Sequence, residues 1–331
     1  MPPVWTSEQS WTWFQAQPWL VGCNFIPSNA INQLEMWQIE TFDPETIDYE
    51  LGWAQSLGFN TVRVYLHDLL WDNSSDGFRV RIDQFLRIAA AHAIRPILVI
   101  FDDCWNADFA LGKQPAPRPS VHNSGWVQSP GVRVVNNRWD WNRLERYVKG
   151  LLTAFANDER ILLWDLYNEP GNSQQGERSL PLLQAAFEWA WSVRPSQPLS
   201  VGVWFDHPDL NAFQLASSDV ITFHNYGPAE GLKQQIASLR AFNRPLICTE
   251  YMSRGLGSRF ETHLPIFKQE KVGCLNWGLV AGKTNTIYAW NTPEGAPEPE
   301  LWFHDIFRKD GSPYLPAEVA FIRQMTASGG V

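Results

Sequence analysis

At 331 residues the chain is long enough for one large domain or two ordinary ones. A net charge of −9 and a pI near 5.3 argue against nucleic acid or an anionic membrane surface as partner. Hydrophobic content of 44% supplies a substantial core, and the outlier is tryptophan, with 18 residues. Indole faces pack well in cores and also make flat platforms for the C–H faces of pyranose rings, so the excess leans toward carbohydrate.

Taken in chain order, residues 19–28 (WLVGCNFIPS) read as a first strand ending at Pro27. Pro44 opens a helix that runs to Leu57, with acids near its start and Gly58 as its stop. Residues 61–66 form strand two, and Arg63 in its middle needs anionic partners if the strand is buried. A helix over 78–93 leads to strand three, 95–103, which closes on Asp102 and Asp103. The long segment 104–138 is rich in Pro, Gly, Asn and Trp. With Trp105, Trp126 and Trp139 in or beside it, it reads as a wall of a binding cleft.

A helix over 139–157 precedes strand four, Ile161-Leu162-Leu163-Trp164-Asp165-Leu166-Tyr167-Asn168-Glu169-Pro170. This stretch begins as an apolar run and ends in an amide, a carboxylate and a proline that cannot continue a ladder. A helix over 180–193, strand five over 198–204 and strand six over 219–226 follow, the last ending in His224 and Tyr226. A helix over 231–242 leads to strand seven, 244–251, which carries Glu250. Strand eight, 272–278, carries Trp277. A second long loop over 281–312 precedes a closing helix from about 316 to 325.

Eight strands alternate with helices and no linker divides the chain, so the expected fold is α/β: a single (β/α)8 TIM barrel spanning 1–331. Its long loops follow strands three and eight. An open doubly wound sheet is the runner-up, but no Gly-x-Gly-x-x-Gly follows the first strand. In a barrel the residues at the strand ends share one rim, so Asn168 and Glu169, Glu250, His224 and Tyr226, Trp277 and Arg63 converge there. Two carboxylates across a pocket, one protonated and one ionised, are what glycosidic cleavage needs.

On these residues the chain resembles the retaining glycoside hydrolases whose (β/α)8 barrel carries catalytic glutamates on strands four and seven, and within them the cellulase-like family 5. The resemblance runs from about Trp19 to Gly278 and rests most on the residues 164–170 joined to Thr249-Glu250-Tyr251. It implies that Glu169 is the acid/base and Glu250 the nucleophile. It further implies that Asn168 bonds the sugar 2-hydroxyl, that Tyr226 and Arg63 hold Glu250 ionised, and that His224 supports the site. Trp277 would floor the subsite where the bond breaks. Members of the family often place a His near the end of strand three, where this chain has Asp102, Asp103 and Trp105. Asp103 and Trp105 are therefore candidate sugar contacts, with an acidic residue there either accepting from hydroxyls or capping the following loop.

The function expected is cleavage of a β-linked glucan- or mannan-type glycan by double displacement. The alternatives are an exo-acting β-glycosidase, if the long loops close one end of the cleft, and a non-catalytic carbohydrate-binding barrel. Each residue also has a bland explanation: Arg63 with Asp165 as an interior ion pair, His224 as a satisfied strand-end histidine, Trp277 as core. Two glutamates at matching strand ends are harder to explain that way. No cofactor is expected and no metal, since the seven histidines are dispersed without a ligand pair at helical spacing. The four cysteines form no Cys-x-x-Cys pair and read as buried thiols. Residues 1–18 lack a basic region followed by an apolar one, which points to the cytoplasm unless an export signal precedes them.

Overall fold

The apolar runs become eight strands in a computed structural model that describes residues 4–327. They are β1 (Val21–Asn24), β2 (Thr61–Tyr65), β3 (Arg95–Asp102), β4 (Leu163–Asn168), β5 (Leu199–Ser200), β6 (Ile221–Asn225), β7 (Leu246–Tyr251) and β8 (Gly273–Asn276). Neighbours run parallel in the order β5-β4-β3-β2-β1-β8-β7-β6. The remaining seam is closed by a bridge between Val203 and Phe223. This is the (β/α)8 barrel the pattern predicted.

Helices fill the crossovers. Pro44–Ser56 starts where Asp43 accepts from the Glu45 and Thr46 amides, each at 3.1 Å. The helix predicted from residue 78 begins at Asp68 and runs to Ala91 with a kink at Ser74. Its first turns were missed because the polar run from Asn73 to Gly77 reads as loop. Strand five is shorter than expected. Past Ser200 the Gly202 carbonyl is taken by the Gln214 side chain at 2.8 Å instead of a ladder partner. An N-terminal helix, Ser7–Gln15, was not foreseen, and its Trp13 and Phe14 pack against the apolar cluster of Leu20, Ile97, Leu163 and Ile247. That cluster plugs the N-terminal end of the barrel.

Above the plug the strand interior turns polar, and the inward–outward alternation slips. In β3, Ile97 and Val99 point inward, yet Ile100 and Phe101 both join the outer core against the helices. In β4, Asp165 is inward, then Leu166 and Tyr167 both face outward. Between β6 and β7 the register shifts so that Phe223 pairs Cys248 while His224 pairs Glu250. Irregularities of this kind re-aim the side chains beyond them. They put Asp102, Asn168 and Glu250 inside the barrel mouth.

Candidate active site

Arg63 is the hub of the mouth and is fully buried. Its Nε donates to Asp165 Oδ2 at 2.9 Å, its Nη2 to Asn168 Oδ1 at 2.7 Å, and its Nη1 to Glu250 Oε1 at 2.7 Å. The interior ion pair with Asp165 is thus present, and the same guanidinium also fixes two rim residues. Arg63 does not line the cavity. Arg63 was expected among the rim residues that meet the sugar; burial keeps it from sugar, and it acts through Glu250 and Asn168.

Glu250 receives two further donors, Tyr65 Oη at 2.9 Å on Oε1 and Tyr226 Oη at 2.8 Å on Oε2. Tyr65 was not singled out from the sequence, although it lies two residues beyond Arg63 and so on the same strand face. Glu169 sits one residue past β4 with φ of 43°, a left-handed conformation that is strained for a side-chain-bearing residue. Its Oε1 accepts from His224 Nδ1 at 2.8 Å. Its Oε2 accepts from Asn172 Nδ2 at 2.6 Å and from the Cys104 thiol at 3.2 Å. Burial works to raise the Glu169 pKa, but the His224 bond and charge, with Cys104 and Asn172, outweigh it and hold the carboxyl below its usual value. Burial and the nearby carboxylates push the Cys104 thiol far up, so it stays protonated and donates. All four cysteines are free and buried, as expected, but Cys104 is also part of the site.

Glu169, His224 and Glu250 each bring an atom within 4.8 Å of the others. Atoms this close are able to share a divalent cation, yet Arg63, Tyr65 and Tyr226 already satisfy Glu250. His224 stands between the two carboxyl groups, its Nδ1 2.8 Å from Glu169 Oε1 and 3.6 Å from Glu250 Oε2.

The cavity above them encloses about 710 Å³. Asn168, Glu169, His224, Tyr226, Glu250, Trp277 and Trp105 all line it, so the structure gathers these sequence candidates in one place. Asn168 is held from both sides: Oδ1 accepts from Arg63 and Nδ2 donates to Asp102 Oδ1 at 2.9 Å. Asp103 is a correction. The slip in β3 turns it outward, fully buried, where it accepts from Tyr167 Oη at 2.6 Å and the Gly171 amide at 2.8 Å. It fixes the turn that carries Glu169 and is closed to sugar. Trp139, expected beside the cleft, is 92% exposed on the outer surface. Cys104, Asn172 and His304 went unrecognised, since nothing in their local pattern marks them.

The model of the cellulase family, glycosyl hydrolase family 5, matches residues 31–283, which take in β2 to β8 and both glutamates. The chain belongs to glycosyl hydrolase family 5. It is a glycoside hydrolase. A search of curated proteins finds no match. Among solved structures, a GH5_18 protein from Streptomyces cattleya in complex with GlcNAc is 15% identical, with 94% of this chain and 81% of that one covered and a TM-score of 0.63. An exo-β-1,4-mannosidase from an Opitutaceae bacterium is 18% identical over 93% of this chain and 59% of its own, with a TM-score of 0.63. An endo-1,4-β-mannanase from Rhizomucor miehei is 16% identical over 94% and 95%, with a TM-score of 0.61. At these identities the likeness shows the fold that this family 5 enzyme shares with them. No helix among the described residues is long and apolar enough to cross a membrane.

Proposed function

We propose that this family 5 enzyme is a retaining β-glycoside hydrolase acting on a β-linked glucan- or mannan-type glycan, with Glu250 as nucleophile and Glu169 as acid/base. The observation that carries this is the spacing: one oxygen of each carboxylate lies within 4.8 Å of the other. Retention requires carboxyl groups about 5–5.5 Å apart, whereas inversion leaves about 6.5–9.5 Å for a water. Neighbours named as a mannanase and a mannosidase support the glycan class.

In the first step Glu250 attacks the anomeric carbon, the C1–O bond to the leaving sugar breaks, and the leaving oxygen takes a proton from Glu169. Arg63, Tyr65 and Tyr226 donate to Glu250 and aim it. His224 Nδ1 lies 2.8 Å from Glu169 Oε1, a hydrogen bond that orients the acid and links it to a proton-carrying ring. In the second step water attacks C1, its proton returns to Glu169, and Glu250 leaves with its electron pair. Cavity-lining Trp277 offers an indole face to the sugar. A binding barrel without catalysis would have no use for a strained glutamate held at this distance from a second one.

Proton NMR of the first product, before mutarotation, tests the proposal. The β-anomer is expected, and an initial α-anomer contradicts double displacement.

A further inference from the structure

The loops after β3 and β8 bind each other. The Asn123 amide donates to the Thr284 carbonyl at 2.7 Å, His122 Nδ1 to the Tyr288 carbonyl at 2.8 Å, and Asn285 Nδ2 to the Arg118 carbonyl at 2.8 Å. The Gly295 amide reaches the Pro119 carbonyl at 3.1 Å, and Arg118 pairs with Glu294 at 2.8 Å. Most of these bonds use backbone groups, so the two loops form one fixed wall.

The wall stands on the Glu250 side. Its Trp126 packs edge-on against Tyr65, ring centres 4.9 Å apart, and its Trp290 against Tyr226 at 5.2 Å. These are the two tyrosines that hold Glu250. On the Glu169 side the β3 loop contributes Cys104 at its base, and the cavity is lined by Trp204, bonded to the Pro170 carbonyl, and by Phe205, which is 61% exposed. The acid must touch the leaving oxygen, so the leaving group lies on the Glu169 side and the sugar that is attacked lies against the wall.

The wall also holds hydrogen-bond acceptors in reserve. His304 Nε2 and Asn123 Oδ1 are buried in cavity-lining residues and have no partner among the described residues. The His304 ring donates through Nδ1 to the Met252 carbonyl at 2.6 Å, which leaves Nε2 as an acceptor. Burial keeps the ring neutral by lowering its pKa well below the usual value. Each unpaired buried acceptor costs about 1–3 kcal/mol unless a ligand satisfies it. The hydroxyls of a sugar are suitable donors. A chain-terminal sugar has one more free hydroxyl than an internal one, whose hydroxyl is consumed in the next linkage.

We propose that the wall makes this an exo-acting site: a single pocket takes the non-reducing terminal sugar of a β-linked oligosaccharide or small β-glycoside, and the remainder leaves across Trp204 and Phe205. This rests on the hydrolase reading above, and the test separates the two. The 4-nitrophenyl β-glucoside and β-mannoside are compared with their β-1,4-linked biosides. An exo site cleaves a monoglycoside directly. It releases phenol from the bioside only after a lag, while free monosaccharide accumulates from the start. Phenol and intact disaccharide without a lag, with the monoglycosides at least 100-fold poorer, would overturn the exo assignment and leave the hydrolase standing. No phenol and no sugar from any of the four would overturn both.

Discussion

Glu250 and Glu169 lie within 4.8 Å of each other, yet the two sides of the barrel mouth hold them by different chemistry. Glu250 is inside a strand and accepts from a buried guanidinium and two phenols. Glu169 has left its strand in a left-handed conformation and accepts from an imidazole, an amide and a thiol. The first set has fixed charge and no proton to exchange at neutral pH. The second contains an imidazole whose Nδ1 lies 2.8 Å from the carboxyl. The first environment suits a nucleophile and the second an acid/base, which supports the proposed roles independently of chain order.

The comparison breaks most visibly at Glu250. Glu250→Ala is expected to lose on the order of 10⁴-fold or more in kcat on every substrate, since no covalent intermediate forms. Glu169→Ala should instead depend on the leaving group. Natural glycosides should slow by about 10²–10⁴-fold, while an activated aryl glycoside keeps its first step and the glycosyl-enzyme accumulates. Added azide, which needs no base, should then restore turnover and yield the β-glycosyl azide. Equal losses on both substrate types would remove the distinction.

The charge side is tested by stability. Arg63→Met leaves Asp165 and Glu250 buried without their cation, and urea denaturation should show a loss of about 3–5 kcal/mol. The wall can be probed by pH, because burial lowers His122 to about 4. Below pH 6.5 the unfolded chain protonates this ring, while the folded chain refuses the proton until about pH 4. Stability is therefore lost as pH falls through that window. His122→Gln should lose roughly 3 kcal/mol less than the wild type between pH 6.5 and 4. The smallest effect is expected at Cys104. Cys104→Ala removes one donor from Glu169, worth about 1 kcal/mol, so kcat/KM should fall less than about tenfold. The basic limb of its pH profile should move up, because the donor that is lost was lowering Glu169.

Much of this architecture could be read from residues. Strand β3 holds a continuous apolar run, β2 and β4 are apolar runs interrupted by Arg63 and Asp165, and the Asn168-Glu169-Pro170 and Thr249-Glu250 ends mark where ladders stop and chemistry begins. Two kinds of feature were hidden. One is strand register: period-two alternation assigns Asp103 to the cleft, and only the slip at Ile100 and Phe101 shows that Asp102 faces inward instead. The other is contact between distant segments. Cys104 looked inert because its partners, Glu169 and Asn172, are more than sixty residues away, at separations of 65 and 68. The joining of the β3 and β8 loops runs largely through backbone carbonyls, whose positions no side-chain pattern encodes.

The assignment of Glu250 as nucleophile is tested most directly by trapping the intermediate with a 2-deoxy-2-fluoro β-glycoside bearing a good leaving group, then mapping the adduct by peptide mass spectrometry. The account predicts one glycosyl unit on Glu250. A label on Glu169 or any other carboxylate, or an unlabelled protein that still turns over substrate with inversion, would contradict it.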